Sequence, residues 1–267
     1  MKPQLTVVPL GGLCNRIRVV LSALHLASSM PIPVVVEWGR DTDCYATFDD
    51  LFLPIQGGNF SICDRAWYHH HNTRRNLHLP GLLRHLTYAR QHDCFHPQWH
   101  GSLRDFVGNH RRVYISSGYS LGTYPVDSIN LLRPLPHIAQ RIDQIVSKFT
   151  SNTIGVHIRR TDHKQAIAHS TDDAFIRALE REIAADARVK FYLATDDEDL
   201  KLQFQERFSR HIIVQPTACC RDTLQGITEA VIDLYALAAT RKVLGSFYSS
   251  FSDTAADFRG IPLEIVK

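Results

Sequence analysis

The chain has 267 residues, long for one simple core and enough for two small α/β halves. Apolar residues make up 44% and charged residues 21%, the balance expected of an ordinary soluble globular protein. A formal charge of +3 gives no bulk reason for a nucleic-acid partner.

In chain order, residues 1–4 lead into the apolar run Leu5-Thr6-Val7-Val8-Pro9, which reads as a buried strand. That run is too short for the apolar region of a signal peptide. No stretch of the chain approaches the ~20 apolar residues that cross a bilayer, so a cytoplasmic protein is expected unless the sequence is a piece of a longer one. Gly11-Gly12 breaks the strand. Residues 15–29 then have helical spacing, with Val19, Ala23 and Leu26 on one face and Leu21 and Leu24 beside it. Pro31-Ile32-Pro33 closes the unit, and Val34-Val35-Val36 reads as a second buried strand. Strand, glycine turn, helix and strand form the βαβ pattern of a parallel sheet.

From residue 41 to 114 no clear period exists, and irregular helices and loops are expected. The charge there is one-sided: residues 64–112 hold eight Arg and no Lys against three Asp and no Glu, together with many of the 15 His. This is either an anion-attracting face or a solvated surface. Residues 112–116 return to a strand. Pro134-Leu135-Pro136 marks a boundary, which predicts an N-terminal domain of residues 1–136 and a C-terminal domain of residues 137–267. A helix over 137–149 leads across.

The second half alternates regularly. Strands are predicted at 153–158, 189–194, 212–215, 242–245 and near 263–266, and helices at about 171–187, 198–208, 223–239 and 250–258. Such alternation predicts a Rossmann-like sheet. Among the six Cys (14, 44, 63, 94, 219 and 220) no C-x-x-C pair occurs, and free buried thiols are expected.

Four stretches could carry chemistry. In Ile154-Gly155-Val156-His157-Ile158-Arg159-Arg160-Thr161-Asp162 an apolar strand runs directly into two arginines. Ligands of open α/β sheets bind off the carboxyl ends of strands, and guanidinium groups match phosphate oxygens with planar, permanently charged donors. Strand alternation sends Arg159 and Arg160 to opposite sides, so one faces the phosphate while the other pairs with an acid such as Asp162. A surface ion-pair cluster is the structural alternative. Gly11-Gly12-Leu13-Cys14-Asn15-Arg16 places glycines before a helix N-terminus, an anion site or a tight βα turn. It lacks the Gly-Lys-Ser/Thr ending of a P-loop. Tyr192-Leu193-Ala194-Thr195-Asp196-Asp197 ends another strand in polar residues that either contact a ligand or cap the next helix. Finally, Asp233 interrupts an apolar helical run, where a buried carboxylate needs partners such as the two donors of a guanine. Ser249-Ser250 then opens a helix, a place for phosphate or a simple N-cap.

Together GGLCNRI, GVHIRRTD, YLATDD, VIDLYALA and FYSSFS, in that order, resemble the fucosyltransferase superfamily that includes the core and chitooligosaccharide α1,6-fucosyltransferases and the protein O-fucosyltransferases. The resemblance covers the second half well and only the opening βαβ unit of the first. It implies a GT-B-like α/β fold of two Rossmann-like domains facing a cleft, GDP-fucose as donor, a glycan acceptor, inversion at the anomeric carbon and no obligatory metal or other cofactor. It further implies that Arg159 binds the β-phosphate, with Arg160 and Asp162 supporting its loop. His157 would lie along the nucleotide, Asp233 would read the guanine, and Ser249 and Ser250 would hold phosphate oxygens. Thr195 and Asp196 would line the donor pocket, and Asn15, in the Gly11-Gly12 turn, would approach the fucose.

One departure stands out. The α1,6 branch carries a Glu proposed as general base a few residues after its arginine motif; here that position, counted without gaps, is Ile167, and no carboxylate occurs between Asp162 and Asp172. His169 could serve, since imidazole titrates near working pH, as could a carboxylate of the first domain. Three other readings stay open: a catalytically impaired GDP-sugar-binding protein, a glycosyltransferase using another nucleotide sugar, and a metal-dependent hydrolase built on His69-His70-His71 and the later histidines. The last lacks H-E-x-x-H, and three consecutive His do not converge on one ion. The His/Arg region would otherwise be an acceptor surface for an acidic glycan or lipid phosphate, with peripheral membrane association. The acceptor, the linkage and the oligomeric state are not readable from the sequence.

Overall fold

Two parallel five-stranded sheets organise the computed structural model, which describes residues 2–55, 57–70, 72–96, 102–126, 128–161, 164–216 and 220–267. The chain divides into two units, Met1–Leu132 and Arg133–Lys267, each with its own sheet.

In the first unit, β1 (Gln4–Pro9), α1 (Leu13–Ala27) and β2 (Val34–Trp38) form the predicted βαβ start. Then come β3 (Phe60–Asp64), α2 (Leu79–Thr87), β4 (Arg90–Phe95), the short α3 (Leu103–Val107) and β5 (Arg112–Ser117). The strand order is β3-β2-β1-β5-β4, parallel throughout. β1 is central because its apolar run can be buried on both faces: Leu5, Val7 and Val8 are all within the core. α1 follows at once because Gly11, at φ 77°, turns the chain in a conformation that a side chain would strain.

The expectation of irregular chain over residues 41–114 needs correcting. It holds β3, α2 and β4, with short 3-10 turns between. β3 and β4 are the two edge strands of their sheet, and only Phe60 and Phe95 of them are buried. An edge strand packs one terminal residue and leaves the rest wet, so it carries no alternation to read. The cysteine expectation needs correcting too. Cys14 and Cys44 are buried free thiols, but Cys63, Cys94 and Cys220 are free and exposed; Cys219 lies outside the described residues.

In the second unit, α4 (Pro136–Val146) leads into β6 (Thr153–Ile158), α5 (Lys164–His169), α6 (Asp172–Ala185), β7 (Lys190–Thr195), α7 (Glu198–Arg207), β8 (Ile212–Ile213), α8 (Leu224–Ala238), β9 (Val243–Gly245), α9 (Ser250–Arg259) and β10 (Leu263–Ile265). The sheet runs β10-β9-β6-β7-β8, again parallel. The chain therefore winds outward from β6 through β7 to β8, crosses back by α8, and winds the other way through β9 and β10. β6 and β9 flank the topological switch point, where open α/β sheets leave a crevice at the carboxyl ends.

Alternation fixes the two faces of this sheet. Ile154, Val156 and Ile158 pack with Phe175 and Leu179 of α6 and Phe204 of α7. Gly155 faces the opposite side, where a β-carbon would meet Leu237 and Thr240 at 2.9 Å. α8 lies close to the strand there because residue 155 has no side chain. Among the described residues, no helix is long and apolar enough to cross a membrane.

Candidate functional site

At the carboxyl edge of β6 the chain leaves the sheet as Arg159-Arg160, and the two side chains go to opposite faces, as alternation requires. Arg160 lies on the α6 side. Its Nε donates to Asp172 Oδ1 at 2.8 Å, its Nη2 donates to the same oxygen, and its guanidinium sits 5.9 Å over the Phe175 ring. Asp172, at the start of α6, is thus the acid that Arg160 finds; Asp162 lies outside the described residues. Arg159 lies on the α8 and α9 side. Its Nη1 is 2.7 Å from Asp196 Oδ2, and its backbone N–H donates to Ser246 Oγ at 2.9 Å.

Asp196 is the hub of this edge. It follows β7 directly, and besides Arg159 it accepts from the Arg160 backbone N–H at 2.8 Å and the Thr161 hydroxyl at 2.6 Å. Burial pushes its carboxyl up, but Arg159, the Thr161 hydroxyl and the Arg160 amide outweigh burial and hold it below the usual carboxylate range. It stays ionised and fixes the guanidinium of Arg159, which is 16% exposed, enough to present donors to a ligand.

The next strand over supplies a helix N-terminus. α9 begins at Ser250 with Ser249 as N-cap, yet the Ser249 side chain makes no capping hydrogen bond. The first turn of α9 therefore has no side-chain cap from Ser249, which is buried beside the half-buried Ser250, and it also carries Asp253; uncapped amides of this kind can receive an anion. Tyr248, just before the cap, has φ 56°, a left-handed conformation that a tyrosine rarely adopts. Strain of this kind concentrates where a loop must be aimed. His157 joins this helix to β6. Its Nδ1 hydrogen-bonds Ser252 Oγ at 2.8 Å and its ring stacks on Phe251 with centroids 4.7 Å apart. Burial holds the imidazole neutral, aided by Arg159 and opposed by Asp196.

The other expected residues divide. Asp233 is buried on α8 and accepts from the Tyr192 hydroxyl. α8 runs antiparallel to the strands, and Leu237 touches the Gly155 position. Asp233 lies about one helical turn before Leu237, and its partner Tyr192 pairs in register with Gly155. It sits below the rim that Arg159 occupies. Thr195 is buried on the other face, and its hydroxyl accepts from the Asp197 N–H at 3.3 Å, so its side chain serves the turn into α7 rather than the Arg159 side. Asp197 caps α7, accepting from Leu200 N–H at 3.0 Å. His169, exposed at the end of α5, meets the Phe247 ring edge-on at 4.8 Å, one side of the loop that enters α9. Ile167 is 44% exposed on the same short helix. Two residues of this edge were not anticipated as site residues: Ser246, which holds Arg159, and Ser252, which holds His157.

The glycine turn of the first unit is built around Arg16, fully buried beneath it. Arg16 donates to Gly11 O at 2.7 Å, to Gly39 O, and to Asp41 Oδ1 at 2.5 Å. Gly12 is the N-cap of α1, and Asn15, half-buried behind the turn, accepts from Arg18 at 3.0 Å. The turn opens on a cavity of about 450 Å³ whose lining includes Gly11, Asp41, Asp43, Arg65 and Trp67. Burial raises the Asp41 carboxyl, but Arg16 and Arg65 overcome it and hold it below the usual range. Beneath this region, Glu37 hydrogen-bonds His69 Nδ1, His69 Nε2 meets the Tyr88 hydroxyl at 3.0 Å, and Tyr88 meets Thr6 at 3.0 Å. His69 is thus committed to the core. Among the described residues no group of three or more His, Cys, Asp or Glu could hold a metal ion; His71 and His100 lie outside them.

No family model matches the chain, and no curated protein matches it in sequence. Solved structures do match in fold. The NodZ α1,6-fucosyltransferase soaked with GDP-fucose superposes with a TM-score of 0.62 at 16% identity, over 97% of this chain and 93% of that one. POFUT1 in complex with GDP gives 0.60 at 10% identity, covering 99% of both chains. FUT1 of Arabidopsis thaliana in complex with GDP gives 0.59 at 13% identity, over 98% of this chain and 70% of that one. The chain thus has the two-sheet α/β, GT-B-like fold of fucosyltransferase structures.

Proposed function

We propose that the chain is a glycosyltransferase that moves fucose from GDP-fucose to a glycan acceptor, with inversion and without an obligatory metal. The observation that carries this reading is Arg159: a guanidinium at the β6–β9 switch point, fixed by Asp196, with the residue's backbone N–H held by Ser246, on the side where α9 presents its N-terminus. In glycosyl transfer the sugar becomes oxocarbenium-like while negative charge builds on the departing diphosphate. A donor held in place beforehand stabilises charge that develops only as the bond breaks. Arg159 takes the β-phosphate, and Ser249, Ser250 and the first-turn amides of α9 take its other oxygens. His157, neutral and stacked on Phe251, lies along the nucleoside. Asp233, on α8, reads the guanine while the Tyr192 hydroxyl shares its carboxylate. Asp196 orients Arg159 instead of touching the sugar. Asn15 and the Gly11-Gly12 turn belong to the acceptor-side unit, and His169 is the candidate base.

Calorimetry with GDP, UDP and GDP-fucose tests the donor. GDP is expected to bind at least tenfold more tightly than UDP, and Arg159→Ala to weaken GDP. Equal binding of UDP and GDP removes Asp233 as base reader and leaves a transferase using another nucleotide sugar. A second reading, a GDP-sugar-binding protein without catalysis, is favoured by one observation: α5 exposes Ile167 where, counted without gaps, the α1,6 branch of the resembled family has its Glu. Tight GDP-fucose binding with neither hydrolysis nor transfer would select that reading.

A further inference from the structure

Helix α2 is packed the wrong way round for a water-soluble protein. Its buried residues are Pro80 and Arg84. Arg84 donates to Tyr68 O at 3.2 Å and His70 O at 2.9 Å and lies 5.2 Å over the Tyr114 ring, so a charged side chain anchors the helix to the unit beneath. The leucines point out. Leu79, Leu82 and Leu86 are 43%, 56% and 73% exposed, and Leu77, in the turn before the helix, is 76% exposed. Spacings of three and four put the three helical leucines on one face. Single exposed leucines are ordinary, but three on one helix face, with a fourth in the turn just before it, make an apolar surface of the kind that marks an interaction site.

The surroundings of that face are basic. Between Asp64 and Asp93 the chain carries five Arg and no Lys, Asp or Glu. Arg74 and Arg75, in the 3-10 turn just before the leucines, are exposed and pair with no acid among the described residues, and His78 at the N-cap and His85 on the helix are exposed too. Reciprocal hydrogen bonds between Thr73 and Asn76 hold that turn. We infer that α2 and the preceding turn are a docking surface for an anionic lipid bilayer, with Leu77, Leu79, Leu82 and Leu86 entering the interface and Arg74 and Arg75 meeting lipid phosphates. The combination of an apolar face with flanking cations suits that partner. A second copy of this chain suits it less, because a two-fold contact would set the same basic ring against itself. The surface lies in the first unit, so it stands or falls independently of the sugar-nucleotide reading of the second.

Sedimentation of the purified chain with vesicles tests it, using phosphatidylcholine alone and phosphatidylcholine mixed with phosphatidylglycerol, at low and high salt. The chain is expected to pellet with the mixed vesicles and to be released by salt. Leu82→Ser/Leu86→Ser should lower the partition at least about tenfold. Arg74→Ser/Arg75→Ser should lower it by about an order of magnitude for the anionic vesicles only. All four positions are exposed, so the variants should keep the wild-type thermal transition. Wild-type protein that stays in the supernatant with both vesicle types overturns the inference, as does a leucine pair variant that partitions like wild type. A wild-type dimer in analytical ultracentrifugation that the leucine pair variant converts to monomer also overturns it, by assigning the face to a second copy.

Discussion

Arg159→Ala and Arg160→Ala make a paired test, because the two residues are adjacent in sequence and separated by the sheet. Arg159 stands at the switch point on the α9 side; Arg160 is tied to Asp172 and Phe175 on the α6 side. Removing a preorganised donor that faces developing charge lowers kcat by about 10²–10³, or about 3–4 kcal/mol of transition-state stabilisation. Arg159→Ala should show that loss in transfer from GDP-fucose and a weakened GDP complex. It should also lose stability, because a buried Asp196 keeps only the Thr161 hydroxyl and Arg160 amide; about 1–3 kcal/mol is expected. Thermal melts separate the two effects, since assays run well below the lowered transition isolate the kinetic one. Arg160→Ala removes a buried guanidinium paired with a half-exposed carboxylate, together with its hydrogen bond to Arg159 O and its packing on Phe175, so it should cost about 1–3 kcal/mol of stability and leave GDP affinity within about threefold. Equal losses of activity in the two variants, or full activity in Arg159→Ala, would refute the argument from strand alternation.

Three further outcomes follow from the same geometry. His157 is buried neutral, so its folded pKa lies below the unfolded value of about 6.5; stability tied to it is complete above that pH and falls as pH drops below it, by up to about 1.4 kcal/mol per unit. Urea unfolding at pH 7 and 5.5 should therefore show a loss about 1 kcal/mol larger in wild type than in His157→Gln, and identical losses would mean the imidazole is not held neutral. Gly245→Ala places a β-carbon 2.6 Å from Ser252 Cβ and 3.0 Å from Leu263 Cδ1, which should lower stability by about 1–3 kcal/mol and weaken GDP binding by shifting the first turn of α9; unchanged melting and binding would count against the placement of that turn. Arg141 donates to both oxygens of Glu229, at 2.7 and 2.6 Å, and Glu229 is 1% exposed on α8. Arg141→Ala should cost about 2 kcal/mol in chemical denaturation, and Arg141→Ala/Glu229→Gln should recover part of it.

How far the sequence could be read depended on where each segment ended up in its sheet. The central strands were legible because they are covered on both faces. β1 and β6 are mostly apolar and buried almost throughout, and Thr153–Ile158 is the strand predicted, residue for residue. β3 and β4 were not legible, since edge strands with one buried residue each leave no pattern. α2 was hidden for a different reason. A helix that buries Arg84 and exposes Leu82 and Leu86 inverts the rule by which amphipathic helices are recognised.

The site divides along the same physical line. Arg159 and Arg160 could be sorted to opposite faces by counting, because strand alternation is a local property of the backbone. Their partners could not be found in this way. Asp196 and Asp172 are 37 and 12 residues from the arginines they hold, and a strand end says nothing about which acid the fold will bring beside it. The family resemblance implies that Asp196 lines the donor pocket, while its place after β7 by itself allows either a ligand contact or a helix cap. Parallel register explains the contact it makes: Ile158 is paired with Thr195, so the residues just past the two strand ends are neighbours, and an acid beside an arginine there forms an ion pair. Arg16 had a local signal that went unused. It lies four residues before Val20 and seven before Ala23, on the buried face of α1, and a cation on such a face must find carbonyls and a carboxylate. A charged residue at a core position of a predicted helix is therefore worth treating as a contact to be located, even when its motif belongs to no nucleotide loop.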